Sequence, residues 1–284
     1  MHVVTIHPMT DYGKRDQFLD AQAFDAAKAA ELAERLETLH GSDAERAQRA
    51  TYLDLLGVEP GKHVLEVGCG NGWVLREIAR RVAPGGRAVG LDASGELLAL
   101  ATTQAAEEDV RVELRPGDAR ELPYDQAEFD IALAPLVLLH VPDADRVIPE
   151  LVRVVRPGGR VGVLERDNES FILNHPDREL TRRIVQTGTD QTAINAWVGR
   201  RLPGMLSRAG LLDVQIKPLV ILERRFSAPT VRFILRWVDV AADLGAINGQ
   251  ERQRWLEQFQ EQEADDGFLI GVTHLFAWGT RPTA

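Results

Sequence analysis

The residues best suited to chemistry in this 284-residue chain surround a glycine-rich segment, VLEVGCGNG at 64–72. A short apolar run leads into Gly68, Gly70 and Gly72, and helical periodicity begins directly after them. Glycines at such a bend let a ligand approach the backbone closely, and the next helix N-terminus offers free N–H donors. Asp92 lies 20 residues after the last glycine, at the end of the next apolar run, where an acid is placed to bind ribose hydroxyls. The pattern predicts a nucleoside-binding crevice.

The spacing of the glycines also restricts which nucleoside compound fits. A dinucleotide fingerprint requires G-x-G-x-x-G, whose loop receives a pyrophosphate, but Trp73 stands at the third glycine position here. The segment instead carries an acid, Glu66. A carboxylate repels a pyrophosphate and attracts the ammonium of an amino acid. We therefore predict a nucleoside joined to an amino-acid tail, which disfavours the alternative of a nicotinamide-dependent oxidoreductase.

Four ordered motifs resemble those of the class I S-adenosylmethionine-dependent methyltransferases. The glycine segment is followed by GDARELPY at 117–124, FDIALAPLVLLHVPD at 129–143 and LVRVVRPGGRVGVLERD at 151–167. The resemblance covers residues 51–167 and is greatest to the small-molecule branch that includes quinone-biosynthesis C-methyltransferases and natural-product O-methyltransferases. It implies S-adenosylmethionine as cofactor and methyl transfer to oxygen or carbon of a small, partly apolar organic acceptor.

The resemblance also implies a set of cofactor-binding positions. Glu66 is expected to face the methionine ammonium, Asp92 to accept both ribose hydroxyls, and Asp118 to accept from the adenine amino group. The full set is Glu66, Gly68, Cys69, Gly70, Asp92, Ala93, Gly117, Asp118, Ala119 and Ala134.

Candidate acid–base residues follow the fourth and fifth predicted strands. Transfer from a sulfonium is an in-line displacement, so a base is needed only if the acceptor enters protonated. His140 in LLHVPD is the predicted base because an imidazole with a pKa of about 6.5 suits proton removal; the alternative is that it caps the following turn. Glu165 and Asp167 are expected to point toward the same crevice, to hold His140 or bind the acceptor, unless they are simple loop carboxylates.

A metal site is not expected. Asp167-Asn168 resembles part of the magnesium site of catechol-type O-methyltransferases, but that site also needs a carboxylate where this chain has Ala134-Pro135. Mg²⁺ requires oxygen ligands, and this departure removes one of them.

Composition restricts the partners and the compartment. A formal charge of −10 disfavours a nucleic-acid partner. Cys69 is the single cysteine, which excludes an internal disulfide and fits a reducing compartment. The longest nearly apolar run, 131–141, is too short to span a bilayer, and no secretory pattern opens the chain, so we expect a cytoplasmic protein without membrane insertion. A cofactor-binding scaffold without turnover and a protein methyltransferase remain alternatives.

The elements that must position these residues follow a βαβ rhythm. Helix-length segments separate apolar strands predicted at 63–67, 87–91, 110–115, 129–134 and 160–166. Ser42 with Glu45, and Ser94 alone, are predicted helix caps. The rhythm predicts an α/β fold with a parallel sheet, and the resemblance extends it to a Rossmann-like, mostly parallel seven-stranded sheet with helices on both faces.

The resemblance makes 214–226 and 267–280 a terminal antiparallel pair of strands within a single domain. Residues 1–57 are expected to form an N-terminal helical cap, 58–168 the cofactor-binding core, and 169–284 further cap helices with the last two strands. The cap helices, expected at 10–56, 170–200 and 229–263, would enclose the acceptor over the carboxyl ends of the strands. The first dozen residues are expected to be a mobile arm. Candidate aromatic residues for an apolar pocket are Phe171, Trp197, Phe233, Trp237 and Phe268.

Overall fold

The computed structural model describes residues 16, 18, 20–264 and 266–283, so the expected mobile arm lies outside the described residues. The strands are β1 (His63–Val67), β2 (Arg87–Asp92), β3 (Glu113–Pro116), β4 (Phe129–Pro135), β5 (Val155–Leu173), β6 (Leu212–Glu223) and β7 (Ile270–Thr280). The α-helices are α1 (Ala26–His40), α2 (Asp43–Leu56), α3 (Trp73–Val82), α4 (Gly95–Glu107), α5 (Val147–Val154), α6 (Arg178–Thr192), α7 (Val198–Arg208), α8 (Val231–Asp243) and α9 (Gly249–Glu261).

The described strands form one seven-stranded sheet in the order β3-β2-β1-β4-β5-β7-β6. β1 to β5 pair in parallel, whereas β7 runs antiparallel between β5 and β6. The predicted Rossmann-like fold is therefore confirmed. The strand order reverses direction between β1 and β4, and in open α/β sheets the crevice outside the carboxyl ends at such a point receives the ligand.

Local sequence signals account for several element boundaries. The Ser42 side chain accepts the Glu45 N–H at the start of α2, and the Ser94 side chain accepts the Leu97 N–H at the start of α4, so both predicted caps are confirmed. All but the first residue of β1 and all but the last residue of β4 are buried. Strands that are covered on both faces have continuous apolar sequences, which is why the positions of β1 and β4 could be predicted from the sequence.

Both faces of the sheet are covered by helices. On one face, Tyr52, Leu53 and Leu56 of α2 pack together with α3 residues against the sheet. On the other face, α5 and α7 contribute Leu151, Leu202 and their neighbours to the second half of the core. α2 therefore differs from the expected cap helix, because its C-terminal half covers the sheet while its first turn faces the strand ends.

A separate apolar cluster holds the cap together. α6, α8 and α9 bury Trp237, Trp255, Phe259 and Phe268 among themselves. Gly188 of α6 lies against the Trp237 ring, and a side chain there would overlap it, so the two helices approach closely. α6, α8 and α9 thus form one packed unit. None of the described helices is both long and apolar enough to span a membrane.

Candidate active site

A cavity of about 1010 Å³ lies between the cap and the carboxyl ends of β1, β2, β4 and β5. Small-molecule sites commonly measure about 300–1,000 Å³. This volume therefore gives room for a cofactor and a second molecule. The glycine-rich segment and the residues after β2 and β3 form one half, and α8 closes the other half. α1 extends along both halves, because its Glu37 accepts from Asn71 of the glycine-rich segment while its Arg35 lies near Arg232 and Arg236 of α8.

The glycine-rich loop is fixed to the end of β2. Gly68, Gly70 and Gly72 all have positive φ (73°, 53° and 76°), a backbone region that side chains strongly disfavour. The N–H groups of Gly68 and Cys69 donate to the Leu91 carbonyl at 2.7 and 3.1 Å. The Gly70 N–H donates to Asp92 Oδ2 at 2.8 Å. The loop backbone consequently lies directly on the cavity wall.

Two buried acids face this half of the cavity. Asp92 is 8% exposed, its Oδ1 accepts the Ser94 N–H at 2.9 Å, and burial raises its pKa. Glu66 is 2% exposed, and its Oε2 has no hydrogen-bond partner among the described residues. Burial and the nearby Asp92 raise the pKa of Glu66 well above its ordinary value. An unpartnered buried carboxyl is costly, so this site favours a ligand with a cationic donor.

The segment after β3 completes the wall of this half. Ala93, Gly117, Asp118 and Ala119 all line the cavity. Arg120 donates to Asp118 at 2.6 Å and holds the pKa of that carboxyl below its usual range, so Asp118 stays an ionised acceptor.

Ala134 does not reach the cavity as expected. It is fully buried in β4, within the core of the sheet. The next residues, Pro135, Leu136 and Val137, line the cavity in its place. The prediction was one residue too early because β4 extends to Pro135.

His140 lines the cavity and has a carboxylate partner that the sequence did not indicate. Its Nδ1 lies 2.7 Å from Oδ2 and 2.8 Å from Oδ1 of Asp16. The ring of Phe18 covers the imidazole at a centroid distance of 4.4 Å. Burial lowers the pKa of His140, and Asp16 opposes that effect. Asp16 precedes His140 by 124 residues and lies outside every motif, so sequence spacing carried no signal for the pair.

Glu165 and Asp167 point away from the cavity, so the expected orientation of both is wrong. Side chains alternate along a strand, and in β5 it is Leu164 and Arg166 that line the cavity. Glu165 Oε1 accepts the N–H groups of Val137 and Leu138 at 3.1 and 2.6 Å, and burial raises its pKa to about 8. This carboxyl therefore holds the segment that carries His140.

Asp167 binds an arginine on the outer side of β5. The Arg200 Nε donates to Asp167 Oδ2 at 2.9 Å, and the neighbouring Asn168 accepts from Arg166 Nε at 2.6 Å. Within the described part of the chain, no group of three or more His, Cys, Asp or Glu side chains is arranged to hold a metal ion.

Two of the five candidate aromatic residues line the cavity, namely Phe233 and Trp237 of α8. Phe268 is buried in the cap cluster instead, and Phe171 packs edge-on against Trp237 at 4.7 Å. Trp197 is exposed beneath the Arg200 guanidinium. The expectation for these three residues is corrected: packing within the cap explains Phe171 and Phe268, and Trp197 contacts Arg200 at the surface.

Comparisons with known proteins assign the family. A family model described as a methyltransferase domain matches residues 64–159. A demethylmenaquinone methyltransferase of Halalkalibacterium halodurans is 31% identical over 189 residues, which is 61% of this chain and 77% of that protein. A nocamycin O-methyltransferase of Saccharothrix syringae is 37% identical over 112 residues, 39% of this chain and 40% of that protein.

This chain is a class I S-adenosylmethionine-dependent methyltransferase. The fold agrees: a phosphoethanolamine N-methyltransferase of Haemonchus contortus, solved with S-adenosylmethionine, superposes with a TM-score of 0.58 at 18% identity. That match covers 98% of this chain and 61% of the other, so this chain spans less than two thirds of it.

The cofactor of this methyltransferase is S-adenosylmethionine, and the residues present fit it. The unpartnered Oε2 of Glu66 suits an ammonium group, and the carboxylate of Asp92 stands where a ribose would be bound. The sulfonium carries a net positive charge, which the two buried acids complement.

Proposed function

We propose that this methyltransferase methylates a hydroxyl or an acidic carbon of a small, partly apolar acceptor held between His140 and α8. The observation that carries the proposal is the His140–Asp16 pair in the wall of the cavity. Phe233 and Trp237 supply an apolar surface on the opposite wall.

The contact with Asp16 fixes which nitrogen of His140 holds the proton. An ionised carboxylate only accepts hydrogen bonds, so Nδ1 is the protonated nitrogen and Nε2 keeps its lone pair. Asp16 thereby orients the imidazole and stabilises the cation that forms when Nε2 takes a proton from the acceptor. Asp16 is a positioning residue in this proposal, whereas His140 contacts the reacting group.

The electrostatic setting favours the neutral imidazole before reaction. Burial lowers the pKa of His140, so the ring is uncharged and able to accept a proton near neutral pH. Glu165 keeps the ring in place indirectly, because it holds the backbone of Val137 and Leu138 just before it.

The proposal assigns the other half of the cavity to the cofactor. Glu66 would bind the ammonium, Asp92 the ribose hydroxyls, and Asp118 with Ala119 the adenine edge. Bound there, the cofactor supplies an electrophilic methyl group. Gly68, Cys69 and Gly70 would contribute the backbone surface against which it packs.

The names of the relatives support an acceptor of this class. One relative is named for demethylmenaquinone and another for O-methylation of nocamycin. Fold alone carries less weight, since a chain named as a [4+2]-cyclase shares this fold with a TM-score of 0.56 at 20% identity.

The test is release of S-adenosylhomocysteine with a panel of phenols, quinols and enolisable ketones. For the best acceptor, we expect His140→Ala to lower kcat by about 10²–10⁴-fold with unchanged cofactor affinity. Asp16→Asn should lower kcat less and shift the pH dependence of the rate, because the carboxylate that supports the imidazolium is lost. His63→Ala, which removes a histidine at the opposite end of β1, is the matched control and should leave kcat unchanged.

A loss below tenfold for His140→Ala, together with an unchanged pH profile, would contradict the role of the imidazole. S-adenosylhomocysteine binding without turnover on any acceptor would favour the scaffold alternative over an enzyme.

A further inference from the structure

The charged side chains lining the cavity are unevenly distributed. The half assigned to the cofactor carries the acids Glu66, Asp92 and Asp118, and its arginine, Arg120, pairs with Asp118. The half closed by the cap carries arginines from three separate elements: Arg35 of α1, Arg166 of β5, and Arg232 and Arg236 of α8. This cluster stands out in a chain whose formal charge is −10.

Arg166 is the most enclosed of these arginines. It is 9% exposed, its Nε donates to Asn168 at 2.6 Å, and its guanidinium lies 4.3 Å from the centre of the Phe233 ring. These contacts fix the planar group at the cavity wall. An arginine held in this way is pre-organised to bind an oxyanion through two parallel hydrogen bonds.

The arginines lie close enough to affect one another. Burial lowers the pKa of Arg35, and the charges of Arg236 and Arg232 lower it further. Burial brings the pKa of Arg166 down to about 10; nearby acids, including Glu45 and Asp16, oppose this fall, and Arg236 adds a smaller contribution to it. Like charges held close together repel, and an anion placed among them relieves the repulsion.

The acids near these arginines, whether they line the cavity or lie behind β5, also make other contacts. Asp16 binds His140, and Glu165 accepts two backbone N–H groups behind β5. Glu45 faces His40 at 3.8 Å and accepts from Gln48 at 3.4 Å. Asp16 and Glu45 lie close enough to Arg166 to offset part of its positive charge, and Asp16 does the same for Arg236.

We propose that the acceptor carries an oxyanion group, a carboxylate or a phosphate ester, and that Arg166 with the arginines of α1 and α8 binds it. This inference rests on the proposed function, because it concerns the acceptor of that same site. The anionic group occupies the cap half while the nucleophilic atom faces His140. The two halves thus select a cationic cofactor and an anionic acceptor by opposite charge.

A pair of fluorescent probes tests whether the cap half of the cavity prefers an anionic group, and the identity of the acceptor is not needed for this test. 8-Anilino-1-naphthalenesulfonate and N-phenyl-1-naphthylamine share their rings, but only the first carries an anionic group. With S-adenosylhomocysteine present at saturation, we expect the sulfonate to bind at least tenfold more tightly. Arg166→Gln and Arg232→Gln should each weaken the sulfonate by about 10- to 100-fold and the uncharged probe less than twofold. Arg166→Lys should restore part of the sulfonate affinity.

Arg252→Gln is the matched control, because this exposed arginine of α9 pairs with Asp239 and should not affect either probe. Displacement of the sulfonate by 1-naphthoate or by 1-naphthyl phosphate identifies the preferred oxyanion. Three outcomes would each overturn the proposal. The wild type could bind both probes with equal affinity, Arg232→Gln could lose affinity for both probes equally, or neither competitor could displace the sulfonate. Failure of the wild type to bind S-adenosylhomocysteine in calorimetry would instead overturn the proposed function.

Discussion

Glu66→Gln removes one negative charge from the cavity while keeping the size of the side chain. In the absence of ligand the substitution should not destabilise the fold. Burial and Asp92 raise the pKa of Glu66, so the folded protein holds this proton more tightly than the unfolded chain does. The contribution of this protonated side chain to the free energy of unfolding is present at low pH and is lost as pH rises. The Glu66→Gln variant has no group that titrates at this position, so it does not show that loss. We therefore expect Tm at pH 8 to be equal or higher in the variant.

Cofactor affinity, unlike the stability of the fold, should decrease in Glu66→Gln. A hydrogen bond between a carboxylate and an ammonium contributes about 1.5–3 kcal/mol, which corresponds to about 10- to 150-fold in Kd. Glu66 is 2% exposed, so water cannot replace the lost contact. The affinity for S-adenosylhomocysteine should fall within this range.

Isothermal titration calorimetry with two ligands separates the contribution of the amino-acid tail to binding from that of the nucleoside. 5′-Methylthioadenosine keeps the nucleoside but lacks the amino-acid tail, so Glu66→Gln should leave its Kd unchanged within about twofold. Asp92→Ala is the matched comparison and should weaken both ligands, because it removes the carboxylate expected to bind the ribose. Equal losses for both ligands in Glu66→Gln, or no loss for S-adenosylhomocysteine, would refute the assignment of Glu66 to the ammonium.

Two further predictions concern the loop and the support behind His140. Gly70→Val should abolish S-adenosylhomocysteine binding. The control is Gly61→Val, at a turn with similarly positive φ and open space, which should lower only the stability of the fold. Normal binding by Gly70→Val would contradict a close approach of the cofactor to the loop backbone. The pKa of Glu165 is raised from 4.5 to about 8, so unfolding free energy should fall as pH rises between these values, by up to about 1.4 kcal/mol per pH unit. Glu165→Gln should flatten that slope in urea titrations from pH 5 to 8, and an unchanged slope would exclude Glu165 as its source.

The nucleoside half of the site was predictable from the sequence because its geometry is local. Positive φ at Gly68 and Gly70 and an acid at the end of β2 are properties of short segments. Burial on both faces makes β1 and β4 continuous apolar runs, so their ends could be placed within a residue. The residues named from these segments line the cavity, apart from the one-residue difference at Ala134.

Asp16 was not predictable because its role depends on tertiary contact alone. It falls within the helical cap expected at 10–56, and nothing in that expectation pairs Asp16 with a residue 124 positions further along the chain. A predicted cap helix does not indicate which distant residue a side chain near its start will contact.

β5 shows how the orientation of a single strand changes the chemistry inferred for a site. The sequence places Glu165, Arg166 and Asp167 together, and the two acids were expected to face the cavity. Because successive side chains point to opposite faces, the pleat that turns Leu164 inward also turns Arg166 inward and both acids outward. The strand end then presents a cation to the cavity, and in our proposal the base is His140 with its distant partner Asp16. A wall expected to help remove a proton instead carries a guanidinium group, and the anionic acceptor that we propose rests on that reversal.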